Sequence, residues 1–325
     1  MHRGFDGIRL GFATNLMQPA TKSAAPVLVT GSHRSGSTWV GRVLAAADGV
    51  GYIHEPFTLN QAFPPTQRDP KHWYQYFERD TGKHYEAVLR DTIEFRYPFW
   101  SNLFRVRSRT DLRAVRSEAA VFRRHAINGS RAIIKDPIAL FSAPWIAETF
   151  GAQIVVCIRH PAAFASSLKA LNWPFDFSNF LLQPRLMEGP LAPFSADISR
   201  LAGHVHSIHE QAALLWRCIY SVVDRYRKNY PGWLFVRHED LSRDPVARFS
   251  DLFQHAGLKL SARAQAEIAR TTSGDRTLAN DPRSVVRHSG SNICMWKSRL
   301  SHEEINSVKQ QTADVWPKFY SNEDW

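Results

Sequence analysis

Pro26-Val27-Leu28-Val29-Thr30-Gly31-Ser32-His33-Arg34-Ser35-Gly36-Ser37-Thr38-Trp39 is the stretch on which the fold turns. An aliphatic, β-branched run enters a Gly/Ser turn, and the turn enters a helical pattern carrying Trp39, Val40, Val43 and Leu44. Such a strand–loop–helix unit aims backbone N–H groups and the positive end of a helix at an anion, usually a phosphate. A nucleotide-binding P-loop reads G-x-x-x-x-G-K-[ST]. Gly31 and Gly36 keep that separation, but Ser37 stands where the Lys would, and the cation is Arg34, ahead of the second glycine.

Further strand-like apolar runs recur at Gly51–His54, Ala132–Lys135, Ile154–Ile158 and Trp233–Val236, joining Val27–Thr30. Helical patterns lie between them, over Gly36–Ala47, Leu112–Ala126, Pro161–Leu171, His206–Tyr230, Pro245–His255, Ala262–Arg270 and His302–Val315. This alternation predicts an α/β fold: one P-loop-like domain whose central parallel sheet is flanked by helices. VLVT and IVVCI are almost continuously apolar, as strands covered on both faces are. Asp244 is placed to cap a helix that starts at Pro245, and Ser301-x-x-Glu304 reads as a capping box. Two aromatic-rich stretches, 57–100 and 172–204, look irregular and form either an acceptor pocket or a lid packing on the core, within a helical, loop-rich cap.

A second chemistry-bearing segment is Ile154-Val155-Val156-Cys157-Ile158-Arg159-His160-Pro161, with Ser166 and Ser167 following. A buried strand ends in Arg159, Pro161 opens a helix, and Ser167 lies two turns along it. That spacing lets a strand-end guanidinium and a helical hydroxyl converge on one anion, a role suited to the planar fork of Arg. The alternative is an ordinary strand–helix junction with Arg159 in an ion pair. Further on, His54-Glu55-Pro56-Phe57 puts a carboxylate at a strand end among aromatics, where shielding is expected to raise its pKa toward that of a general base. Because side chains alternate along a strand, only one of His54 and Glu55 is expected to face the site. Glu55 is preferred as base and His54 is the alternative.

Together the two anion segments resemble the nucleotide site of sulfotransferases that use 3′-phosphoadenosine 5′-phosphosulfate (PAPS), in the bacterial and carbohydrate-type branch. The resemblance implies that Ser35, Gly36, Ser37 and Thr38 hold the 5′-phosphate and that Arg34 neutralises the bridging oxygen as adenosine 3′,5′-bisphosphate leaves. It also implies that Arg159 and Ser167 hold the 3′-phosphate and that Trp39 stacks on adenine, though a core position for Trp39 stands beside that reading. His54-Glu55-Pro56 resembles the segment carrying the catalytic Glu. Ile133-Ile134-Lys135-Asp136-Pro137 resembles the segment whose Lys faces the sulfonyl group. Trp233 to Leu241 resembles a strand ending in Tyr-Glu-Asp-Leu, with His238 in place of the aromatic at the adenine and Asp240 expected as a structural cap. Arg287-His288-Ser289-Gly290 with Trp296-Lys297 resembles the C-terminal nucleotide-covering segment, which makes Arg287 and Ser289 candidate 3′-phosphate contacts. PAPS is thus the expected co-substrate, a hydroxyl-bearing acceptor such as a saccharide, glycolipid or small metabolite the expected partner, and no metal is implied. The rivals are an ATP-dependent P-loop phosphotransferase and a non-catalytic nucleotide- or polyanion-binding protein.

The net charge of +11 over 325 residues fits an anionic partner. The nearest basic cluster is Arg105, Arg107, Arg109, Arg113 and Arg116, readable as a solvated face or as a dock for an anion. Nothing points to nucleic acid in particular. Cys157, Cys218 and Cys294 are widely spaced, with no disulfide framework, which favours a reducing compartment. No apolar run is long enough to span a bilayer and no secretory signal is visible, so a cytoplasmic location is expected. Residues 1–25 read as a flexible leader and 26–325 as the domain. Asn128-Gly129-Ser130 fits a glycosylation sequon that matters only in a secreted protein. His204, His206 and His209 are expected as surface histidines rather than zinc ligands.

Overall fold

Strand β1 (Val27–Gly31) occupies the middle of a five-stranded sheet in the computed structural model, which describes residues 24–67, 70–203, 206–272 and 293–325. The other strands are β2 (Val50–His54), β3 (Arg131–Lys135), β4 (Gln153–Ile158) and β5 (Leu234–Arg237), in the spatial order β2-β3-β1-β4-β5, all parallel. All five anticipated strands are present, each within about a residue of its expected bounds. Alternation along β1 sends Leu28 to one apolar layer and Val27 and Val29 to the other, and β4 splits Ile154, Val156 and Ile158 from Val155 and Cys157 in the same way. Both faces are therefore covered, the condition under which parallel sheets occur.

In chain order the helices are α1 (Ser37–Leu44), α2 (Lys83–Ile93), α3 (Phe99–Leu103), α4 (Arg109–Ile127), α5 (Ala143–Phe150) and α6 (Pro161–Ala170). They continue with α7 (Ser178–Leu181), α8 (Pro184–Glu188), α9 (Ser195–Ala202), α10 (Ile208–Asn229), α11 (His238–Arg243), α12 (Pro245–His255) and α13 (Ala262–Thr272). Two more, α14 (Trp296–Arg299) and α15 (His302–Gln311), pack against α6 near the C-terminus. One apolar layer takes Trp39, Val40 and Val43 of α1 with Phe249 and Leu252 of α12 and Ile268 of α13. The other takes Phe164 of α6, Trp216 and Tyr220 of α10, Trp296 and Val308. Capping follows the sequence: Asp244 accepts the Ala247 N–H, and Ser301 forms its capping box with Glu304. Two helices are shorter than expected, since α1 stops at Leu44 and α15 at Gln311.

The two aromatic stretches correct an expectation. Residues 57–100 hold α2 and the start of α3, and 172–204 hold α7, α8 and α9. Three of these helices, α3, α7 and α8, are only four or five residues long, too short for apolar spacing to announce them; α2 and α9 are longer. Most of residues 1–25, and both Arg287 and Ser289, lie outside the described residues, as does His204. No helix among the described residues is long and apolar enough to cross a membrane.

The chain leaves β1 toward β2 and β3 on one side and returns to β4 and β5 on the other. That reversal opens a crevice beyond the carboxyl end of β1, the usual ligand position in such sheets. Tyr220 of α10 closes the floor of this crevice. Its hydroxyl lies 2.9 Å from Ser32 Oγ and accepts the Arg159 N–H at 3.0 Å, so one buried phenol ties the exits of β1 and β4. Tyr220→Phe strands both partners and is expected to cost about 1–3 kcal/mol of stability. Urea unfolding with an unchanged midpoint would sink that reading.

Candidate functional site

The turn after β1 is built on two left-handed residues, Arg34 at φ 64° and Gly36 at φ 94°. Gly36 flanks α1 and supplies no side-chain cap, which leaves the first helical amides to another acceptor. His238 covers the turn so closely that a Cβ on Gly36 would meet its Nδ1 at 2.4 Å. Ser35 is buried, and its hydroxyl has no hydrogen-bond partner among the described residues. Ser37 is buried beside it and Thr38 is half-buried.

Arg34 joins the two anion segments directly: its Nε donates to Ser167 Oγ at 2.9 Å, across 133 residues of sequence. Arg159 is almost wholly buried, with its Nε 3.7 Å from Glu239 Oε1 and no hydrogen-bond partner for that Nε among the described residues. Glu239 also accepts the His160 N–H at 3.1 Å and the Tyr320 hydroxyl at 2.9 Å. Arg299, on α14, is half-buried, and its guanidinium is held below the usual range by that burial and by the positive charge of Arg159.

At the far side of β1, Lys135 is fully buried and donates to Glu55 Oε1, while Thr58 Oγ1 donates to Oε2 at 2.9 Å. Burial alone would push the Glu55 carboxyl up, but the charge and hydrogen bond of Lys135 bring it below its ordinary value. The expectation of a raised pKa is thus overturned by a cation 80 residues away in sequence. Alternation fails here too. β2 ends at His54, and Glu55 adopts φ 47°, so His54 Nε2 and Glu55 Oε2 come within 4.0 Å. His54 is the more exposed of the two, and burial together with Lys135 lowers its pKa. Asp136 ties the loop in place: its carboxyl takes the Phe57 N–H at 2.6 Å and the Ile138 N–H at 3.1 Å. Burial and the charge of Glu55 push its pKa up to about 8.

Trp39 is 7 % exposed, edge-on to Phe249 and to His238, with its indole N–H donated to Thr271 at 2.9 Å. Asp240 is no cap; it pairs with Arg237 and Arg243. His33, unremarked in sequence, is buried among Trp73, Phe164 and Trp173 with Nδ1 2.8 Å from the Tyr74 hydroxyl, and its burial and Arg34 hold it down at about 3. Sequence reasoning also passed over Tyr220, Glu239 and Arg299. Only Glu239 carried a signal, standing just past the strand in the Tyr-Glu-Asp-Leu-like segment. Among the described residues, no group of three His, Cys, Asp or Glu side chains could hold a metal ion.

The pattern of the sulfotransferase family matches residues 26–262, most of the chain and all five strands. A stretch of 103 residues is 30% identical to carbohydrate sulfotransferase 1 of Mus musculus and 29% identical to that of Homo sapiens. It takes in 29% of this chain and 25% of each relative, so the match spans about a quarter of their length. The sulfotransferase domain from the Synechococcus PCC 7002 olefin synthase superposes with a TM-score of 0.44 at 18% identity, covering 90% of this chain and 96% of that one. With the turn after β1 hydrogen-bonded through Arg34 to Ser167 of α6, and the family pattern laid across the same residues, the chain belongs to the sulfotransferase family.

Proposed function

We propose that this chain transfers a sulfonyl group from PAPS to the hydroxyl of a carbohydrate-type acceptor. The observation that carries the proposal is the Arg34–Ser167 hydrogen bond, which makes the two anion-binding segments one crevice. An orphaned Ser35 hydroxyl and an Arg159 Nε without a hydrogen-bond partner line it, and both are groups that phosphate oxygens would satisfy. In this reading the Ser35 hydroxyl and the amides of Gly36 to Thr38 hold the 5′-phosphate, and Arg159, Ser167 and Arg299 hold the 3′-phosphate. His238 and the edge of Trp39 border the adenine. Arg287 and Ser289 remain proposed 3′-phosphate contacts. The carbohydrate class comes from the similarity to carbohydrate sulfotransferase 1. Unpaired buried thiols at Cys157 and Cys218 fit a reducing, cytoplasmic setting.

Glu55 is the proposed base. Its carboxylate takes the acceptor proton as the acceptor oxygen bonds to sulfur and the bond from sulfur to the 5′-phosphate oxygen breaks. Negative charge spreads over the equatorial sulfonyl oxygens in such an in-line transfer, and fixed cations at Arg34 and Lys135 stabilise it. His54, 4.0 Å from Glu55, is the alternative base.

Calorimetry tests the donor. Adenosine 3′,5′-bisphosphate should bind without Mg²⁺, and ATP far more weakly; the reverse order would favour an ATP-dependent phosphotransferase. Arg159→Lys keeps a charge beside buried Glu239 but loses the fork, and Arg299→Ala removes the second cation. Each should weaken adenosine 3′,5′-bisphosphate by about tenfold while adenosine 5′-monophosphate is unchanged. Equal losses for both ligands would remove these residues from the 3′-phosphate.

Glu55→Gln should retain nucleotide binding and lower kcat about 10²–10⁴-fold, and normal turnover would transfer the role to His54. A depressed carboxylate stays charged at neutral pH, so the acid limb of wild-type transfer should fall below pH 4.5, the ordinary value for Glu. In Lys135→Met the largest opposing influence is gone while burial remains, and the limb of the residual activity should shift upward from its wild-type position. A limb that stayed put would show that Lys135 does not set the ionisation of the base.

A further inference from the structure

The outer face of α4 carries Arg109, Arg113, Arg116 and Arg123 at steps of four, three and seven residues, with Arg124 alongside; all are exposed. Helical periodicity puts the first four on one stripe, opposite the buried Val115 and Phe122. None of the five makes an ion pair among the described residues. The neighbouring acid Asp111 is spent on the cap, taking the N–H groups of Arg107 and Ser108. At 1.5 Å per residue the helix is about 28 Å long. It ends in Ile127, 73% exposed, and is preceded by a turn on which Trp100 is 71% and Phe104 84% exposed. The two aromatics are four residues apart, one helical turn, so they project together.

This turn is bolted to the reaction site. Buried Asn102 donates to the Pro64 carbonyl at 2.9 Å, Arg105 donates to the Gln61 carbonyl at 3.3 Å, and Gln61 donates to the carbonyl of Glu55. Ordinary solvated helices interleave acids with their bases; here an uncompensated cationic stripe abuts projecting aromatic rings. Guanidiniums fit lipid phosphates, and Trp and Phe settle at the headgroup–acyl boundary, whereas a duplex or heparin-like polyanion is held chiefly through its charges. We propose that α4 and the Trp100–Phe104 turn form a docking surface for an anionic lipid bilayer, which brings the Glu55 loop to the membrane face. The surface stands on exposure and charge and does not depend on the identity of the sulfonyl donor.

The test is co-sedimentation of the full chain with phosphatidylcholine vesicles, with and without phosphatidylglycerol. Binding is expected only with the anionic lipid. Arg109→Glu/Arg113→Glu/Arg116→Glu should weaken it on the order of 100-fold, and Trp100→Ser/Phe104→Ser on the order of tenfold. A control, Lys71→Glu/Lys83→Glu/Lys259→Glu, changes the net charge equally on exposed residues outside the stripe and should bind like wild type. All variants alter exposed side chains, and circular dichroism checks their folding. No binding to anionic vesicles, or equal losses in the control, overturns the proposal. So does full retention by the aromatic variant, with heparin or duplex DNA competing, which would make the partner a soluble polyanion.

Discussion

Everything at the site depends on how closely β1 and β4 run side by side. Gly31 pairs with Cys157, and a Cβ at position 31 would sit 2.3 Å from the Cys157 carbonyl oxygen. With φ at 146°, Gly31 turns the backbone where a side chain would be strained and would collide. The exits of both strands therefore start one strand spacing apart, roughly 5 Å. From there Arg34 can reach Ser167, and Tyr220 can hold Ser32 and the Arg159 amide with a single hydroxyl. The first glycine of the loop serves strand packing as much as it serves any ligand.

The second constraint is electrostatic. Lys135 leaves β3 beneath α1, where Gly41 makes room: a Cβ there would lie 2.9 Å from that of Lys135. Buried in this way, the ammonium needs a counter-charge, and Glu55 provides it by adopting a left-handed backbone that side chains rarely take. A base held ionised by its neighbour is always charged at neutral pH but less basic. In the proposed transfer the same Lys is also a fixed cation offered to the sulfonyl oxygens, so one side chain would serve both charge stabilisation and the ionisation of the base.

Strands and long helices were legible because their signal is local. VLVT and IVVCI need only their own residues to read as doubly buried, and α12 announces its first residue through Asp244 and Pro245. The pairing of the two anion segments was legible from chemistry and spacing. What escaped was set by distant contacts. Lys135 reverses the shift that burial would impose on Glu55, and a positive φ defeats strand alternation between His54 and Glu55. Asp240 is a local exception, paired with Arg237 and Arg243 three residues away on either side in place of capping a helix end. Tyr220 and Arg299 sit in helices whose periodicity accounts for them as packing, so nothing local marks them as site residues.

The arginine stripe shows the converse case, in which a local signal persists because folding does nothing to absorb it. α4 spends Val115 and Phe122 inward, and its acids go to the cap or stand apart from the stripe. Like charges on one helical face oppose the helix by a few tenths of a kcal/mol per pair. The fold gains nothing from that arrangement, and it gains nothing from leaving Trp100 and Phe104 in water. Since the same turn is hydrogen-bonded through Gln61 to the loop carrying the proposed base, any surface that engages it also orients the crevice. An acceptor presented at such a surface would meet Glu55 without first diffusing through bulk water, which gives the uncompensated charge a use that stability alone does not.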